Sequence, residues 1–215
     1  VTNLAFTDDE VVAAASFREK GWPTPVALAD NGNPTRDEAQ AAVRRGARSL
    51  LARGLLAMTD GRAELSAEVT VPLERMSDLR HVVVYPARSS DPAHALYPLL
   101  YVHPAVDGEM VVELDSGDGI RGVATMVTDA VADQLITTAR SVFRREQSGD
   151  RPVLHLVRIH PDGAELSVVS PGEIVISTIE ADGSSTPSAV TPFFDTAIIR
   201  ALLAPLGLEQ EEQPA

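Results

Sequence analysis

The chain has 215 residues, 44% of them hydrophobic, enough to bury a sizeable core, which excludes a wholly disordered chain. Thirty-one acidic against 18 basic residues leave a net charge of −13. A field of that sign repels phosphate and disfavours nucleic acid and anionic membrane as general partners. The sequence holds no cysteine, so disulfide scaffolds, thiolate zinc sites, iron–sulfur clusters and cysteine nucleophiles are excluded.

In chain order, Val1 to Leu4 carry neither a basic nor an apolar leader region, and no apolar run approaches ~18 residues, so neither a secretory signal nor a membrane span is expected. Thr7-Asp8-Asp9-Glu10 is a capping box that opens a first helix, which Gly21 is expected to stop. Trp22-Pro23-Thr24-Pro25 cannot be helical throughout, because each proline restricts the residue before it. Trp22 is expected to plug the gap between the first two helices. Thr35-Arg36-Asp37-Glu38 repeats the box and opens a helix over 36–53. Ala39, Ala42, Val43, Gly46, Ala47, Leu50 and Leu51 share one of its faces and Arg44, Arg45 and Arg48 the other. A short apolar run, Leu55 to Met58, turns at Asp60-Gly61, and a helix with a proline in its first turn is predicted over Pro72 to Leu79.

From His81 the rhythm becomes period two. Strands are predicted at 82–85, 96–102, 110–114 and 120–124, with turns at Asp107-Gly108 and Asp118-Gly119, where glycine tolerates positive φ. A helix follows over 128–145 with Val131, Leu135, Ile136, Ala139, Val142 and Phe143 as its stripe. Strands resume at 153–159, 165–169 and 174–179. Asp182 to Pro187 reads as a polar loop, and a final helix is expected over 192–203. Strands joined by tight turns must be antiparallel. The fold class is therefore α+β: an antiparallel sheet flanked by helical bundles, whose second half loosely echoes the first. The organisation is one domain over 1–205 (helical part 7–79, β-rich body 81–180, C-terminal helix 192–203), then an acidic, disordered tail at 206–215. Of the net charge, −12 lies after residue 60.

Chemistry-bearing motifs are scarce. His81, His94, His103, His155 and His160 have no ligand spacing and read as surface or strand-end residues. Asp115 to Gly119 lacks the alternating ligands and final glutamate of a calcium loop and reads as a hairpin turn. No nucleophile elbow, P-loop or dinucleotide fingerprint occurs. No catalytic, cofactor or metal residue is assigned, and an enzyme with dispersed carboxylates is the least supported class. Arg36, Arg44, Arg45, Arg48 and Arg53 on helix 36–53, followed by the turn at Asp60-Gly61, match the end of a winged helix. This leaves a DNA-binding transcription regulator as the alternative, opposed by the overall charge.

Gly21-Trp22-Pro23-Thr24-Pro25-Val26-Ala27-Leu28 and Ser49-Leu50-Leu51-Ala52-Arg53-Gly54-Leu55-Leu56, then Asp60-Gly61 and Pro72 to Leu79, resemble the EspG family of actinobacterial type VII secretion proteins. The later strands and helices are similar in order, to about residue 205. The resemblance implies a cytoplasmic, non-enzymatic chaperone, without cofactor, that binds the apolar tip of a helical PE/PPE-type substrate and keeps it soluble. It also implies a quasi-two-fold relation between the halves. Carried onto this chain, the family's partner surface falls on the loop Ala87 to His94, with Arg88, Ser89, Ser90 and Asp91, and on the helix face with Phe193, Phe194, Leu202 and Leu203.

Overall fold

The structure, a computed structural model, describes residues 3–18, 22, 24, 34–76, 80–88, 96, 98–104, 107–144, 152–161, 163–170, 173–179 and 185–192. The chain opens on a strand that the sequence reading lacks, β1 (Asn3–Thr7). Thr7 ends it and caps α1 (Asp8–Ser16): its hydroxyl accepts the Glu10 amide at 3.2 Å, and its own amide donates to the Glu10 carboxylate at 2.8 Å. The helix stops at Ser16, before Gly21. Beyond it the Arg18 guanidinium reaches sideways to donate to the Leu73 carbonyl at 2.9 Å. The second box holds as read, with Thr35 capping α2 (Arg36–Ala52). The two helices lie so close that a Cβ on Gly46 would fall 1.9 Å from the Asp9 carbonyl oxygen, so only glycine fits there.

β2 (Leu56–Thr59) and β3 (Arg62–Leu65) form a separate hairpin. Asp60 and Gly61 both have positive φ, 51° and 76°, which matches the twist of a two-residue hairpin turn. The next helix, α3, covers Ala67–Arg75 rather than 72–79, with Pro72 inside it. Val69, Pro72 and Leu73 form its buried stripe, so packing of that face outweighs the preference of proline for a first turn.

β4 (His81–Arg88), β5 (Leu99–Val102), β6 (Glu109–Asp115) and β7 (Ile120–Val127) form a meander that leads directly into α4 (Thr128–Arg144). Then β8 (Pro152–His160), β9 (Gly163–Ser170), β10 (Glu173–Ile179) and β11 (Ser185–Pro192) form a second meander. All pair antiparallel in one sheet of order β1-β7-β6-β5-β4-β8-β9-β10-β11. The fold is α+β, with an antiparallel sheet and helices on both faces. The two meanders join through their first strands, His81↔Ile159 to Arg88↔Pro152, so the chain does build the same four-strand unit twice.

Two boundaries change. The sheet runs to Pro192, so the polar loop read at 182–187 gives way to a strand from Ser185, and residue 192 ends β11 instead of opening a helix. The register shifts between Ile176 and Ser177, opposite Pro187, and β11 is the last strand in the order, a place where proline costs no interior ladder bond. The rest of the helix expected over 192–203, and the tail at 206–215, lie outside the described residues. The part read as helical, 7–79, also contains the β2–β3 hairpin, and β1 before it joins the main sheet.

Because strand side chains alternate, each pairing register assigns residues to a face. Leu4, Phe6, Val111 and Val123 lie under α1, α2, α3 and the hairpin with Val11, Leu50, Val69 and Leu73; this is the cap face. Val82, Val84, Leu100, Val102, Met110, Val112, Leu154, Leu156 and Val169 face the other way, against Val131, Ala132 and Leu135 of α4.

Candidate functional site

Of the partner-binding residues expected from the sequence, Arg88 is described. It is the exposed last residue of β4, on the α4 face two positions beyond Pro86. It makes no ion pair or hydrogen bond among the described residues. Ser89, Ser90, Asp91, Phe193, Phe194, Leu202 and Leu203 lie outside the described residues.

The α4 face carries a feature that the sequence reading missed. α4 covers one end of the strands, over Met110, Met126, Val102 and Val82. Toward the other end lies a groove of about 400 Å³. Its floor is Val84, Pro86, Pro98, Leu100, Val112, Leu114, Gly122, Ala124, Met126 and Leu154; Asn3 lies at its β1 side, and Gln134 and Thr138 of α4 form a wall. None of these lining residues is charged, in a chain that is 23% charged. The groove is deep at β4 and β8, where Val84 and Leu154 are buried. It is shallow at β1, β7 and β6, where Asn3, Ala5, Leu114 and Ile120 are exposed. Its size and uncharged apolar lining are those of a site for an apolar partner. The signal was present in the sequence as small residues at alternate positions, Gly122 and Ala124, opposite Leu114 and Val112 on the neighbouring strand.

The cap face is different. Arg121, 2% exposed, donates to Glu113 at 2.6 Å and to Asp115 at 2.8 Å and lies 3.3 Å from Asp8. Glu113, fully buried, also accepts from the Thr24 hydroxyl at 2.8 Å and from Trp22 Nε1 at 3.2 Å. Trp22 packs edge-on against Phe6 of β1, which gives it a place in the cap-face core, and its indole N–H bonds Glu113 of β6 and ties the segment after α1 to the sheet. Burial opposes the charge on Arg121, but Glu113, Asp115 and Asp8 outweigh it and raise its pKa. Burial also pushes the Asp8 carboxyl above its ordinary value, against the pull of Arg121. A second cluster surrounds Glu10, which accepts from Ser49 at 2.7 Å and from Arg53 at 2.9 Å. Burial works against its ionisation, yet the Thr7 amide, Ser49 and Arg53 together hold its pKa below the usual value.

Of the histidines expected at the surface or at strand ends, His81 opens β4 and His160 ends β8, and His94 lies outside the described residues; the surface part of the expectation fails at three of them. His81, His103 and His155 are buried on the cap face: the His81 ring lies beside those of Tyr101 and His103, and His155 has its Nδ1 3.2 Å from the Tyr85 hydroxyl. The cause is the sheet, which sets these odd strand positions against covered surface. Burial lowers the pKa of His155 and raises that of Tyr85. Among the described residues, no group of three histidines or carboxylates is placed to hold a metal ion, and no helix is long and apolar enough to cross a membrane.

The arginines of α2 divide. Arg45 makes a bidentate pair with Asp9 at 2.6 and 2.8 Å, and Arg53 bonds Glu10 and the Ala5 carbonyl. Arg36, Arg44 and Arg48 remain exposed. An open cleft of about 700 Å³ between α1, β3 and α3 is lined by Phe17, Arg18, Ala63, Glu64, Leu65, Thr70 and Glu74, so its charges are mixed. No family model and no curated protein matches the chain.

Proposed function

We propose that the chain is a carrier of the EspG type, a cytoplasmic, non-enzymatic chaperone that covers the apolar tip of a helical PE/PPE-type secretion substrate. The observation that carries this reading is the groove on the α4 face, whose described lining residues are all uncharged and which is open at β1, β7 and β6. An exposed apolar trough with a polar surround is the form of a helix-binding surface. The doubled meander and the strongly acidic surface support it, because an acidic carrier stays soluble while the apolar tip of its client is covered. The test is co-expression with the small helical proteins encoded beside this chain. A stable one-to-one complex on size exclusion is expected, and failure of every such protein to co-purify overturns the reading.

The second reading, a winged-helix regulator using α2, draws on the exposed Arg36, Arg44 and Arg48 and on the β2–β3 hairpin. Against it, Arg45 and Arg53 are engaged by α1, and Asp60 and Glu64 sit where phosphates would lie. Duplex DNA binding that falls steeply with salt and is lost on Arg44→Ala with Arg48→Ala would support it. Absence of any mobility shift at low salt would remove it.

A further inference from the structure

Resting on the carrier reading, we infer that the groove seats a client α-helix lying across the strands beside α4, with its C-terminal end toward Arg88 and its N-terminal end toward Asp118. The strands that line the groove, β8, β4, β5, β6, β7 and β1, are consecutive in the sheet. Five spacings of ~4.8 Å make it about 24 Å long, the length of about 16 residues of α-helix. α4, at 17 residues, is the internal precedent: it crosses the other end of the same strands, from its start after β7 to its contacts on β8. The groove therefore runs parallel to α4 on the part of the sheet that α4 leaves uncovered.

The floor permits close approach. Gly122 and Ala124 present almost no side chain, and Leu114, 39% exposed, stands beside them as an unsatisfied apolar contact. The lining admits only uncharged side chains, since a charge placed there would lose its hydration without a partner. Among the described residues, charge enters at the rim. Arg88 lies past Pro86 at the end of β4, and Asp118 lies in the turn after Leu114 that joins β6 to β7. Both are exposed, at the same end of two strands that run in the same direction, with β5 between them. A cation favours the carbonyl end of a helix and an anion the amide end, so this pair sets the direction of the bound helix.

The chain has no cysteine, so a single Leu114→Cys carries one bimane label at the open end of the groove. The probe is a synthetic helix of about 16 residues, leucine and alanine on one face and glutamine on the other, with both ends blocked. A blue shift on titration is expected. Gly122→Phe fills the trough, and its Cβ meets nothing nearer than Leu114 Cβ at 3.9 Å; it should weaken binding by at least about tenfold. Gln134→Glu, at an exposed α4 position, should do the same by placing a charge in the wall. Arg88→Glu alone, which leaves an anion at both rim positions and so opposes the carbonyl end in either direction, should lower affinity about two- to fivefold. No shift with the probe, or unchanged affinity in both Gly122→Phe and Gln134→Glu, overturns the inference. If a client co-purifies equally with wild type and Gly122→Phe, the groove assignment fails and the carrier reading survives. If the probe binds but no client co-purifies, the carrier reading alone fails.

Discussion

The two faces of the sheet are held by different physics. The cap face is laced by ion pairs with buried members: Arg121 of β7 pairs with Glu113 and Asp115 of β6 and with Asp8 at the start of α1, and Glu10 of α1 pairs with Arg53 at the end of α2. Each such group must keep its partners or lose more than the pair contributes, so this face tolerates only one arrangement. The α4 face has a core of aliphatic and methionine side chains and continues into an uncharged groove. Contacts of that kind are additive and forgiving, and a second apolar body can be added without breaking any ion pair. Ion pairs added to an apolar core fix the arrangement on one side and leave the other side free to present apolar surface.

Four experiments break or sharpen this contrast. The largest effect is expected for Arg121→Met, which strands Glu113 in the core and should cost about 3–5 kcal/mol in urea unfolding. Adding Glu113→Leu to it should recover a good part of that loss; no recovery would show that packing, not the unpaired charge, dominates. On the α4 face, Leu135→Ala should cost about 2–5 kcal/mol by leaving a cavity, with no partner able to rescue it. A third effect depends on pH. The pKa of buried His155 lies below its ordinary 6.5, so the unfolded chain takes up this proton first as pH falls. The stability that neutral His155 contributes is complete above 6.5 and is lost as pH falls through the folded-state value. His155→Phe should flatten the decline that begins as pH falls through the ordinary histidine value. An unchanged slope would assign the decline to other groups. Smallest is Leu114→Gln in the groove, which should shift unfolding by less than about 0.5 kcal/mol because the side chain is already exposed. A large loss there would mean that the groove floor belongs to the core.

Much of the fold was legible because it is local. Both capping boxes, the Asp-Gly turns and α4 are written within a few residues of themselves: a hydroxyl reaches an amide three residues on, and glycine permits positive φ. What escaped depends on distant partners. β1 is a strand because β7 offers it an edge, Leu4↔Val123 and Phe6↔Arg121, and β11 is one because β10 does. His81 and His155 are buried because their strand positions face covered surface. Of the expected partner residues, Arg88 was reached through the family resemblance, and its place beside an apolar groove came from the strand register.

Composition and local pattern alone determined the acidic field, the absence of thiol chemistry, the α+β class and the antiparallel pairing of the hairpins, since each follows from residues counted or neighbouring in sequence. Only the tertiary structure decided that Arg121, Glu113, Asp115, Asp8, Thr24 and Trp22 meet in one buried cluster. It alone also decided that six strands share a groove whose described lining is uncharged. Which face a side chain takes, and what lies opposite it, is set by pairing register, and register joins residues far apart in the chain.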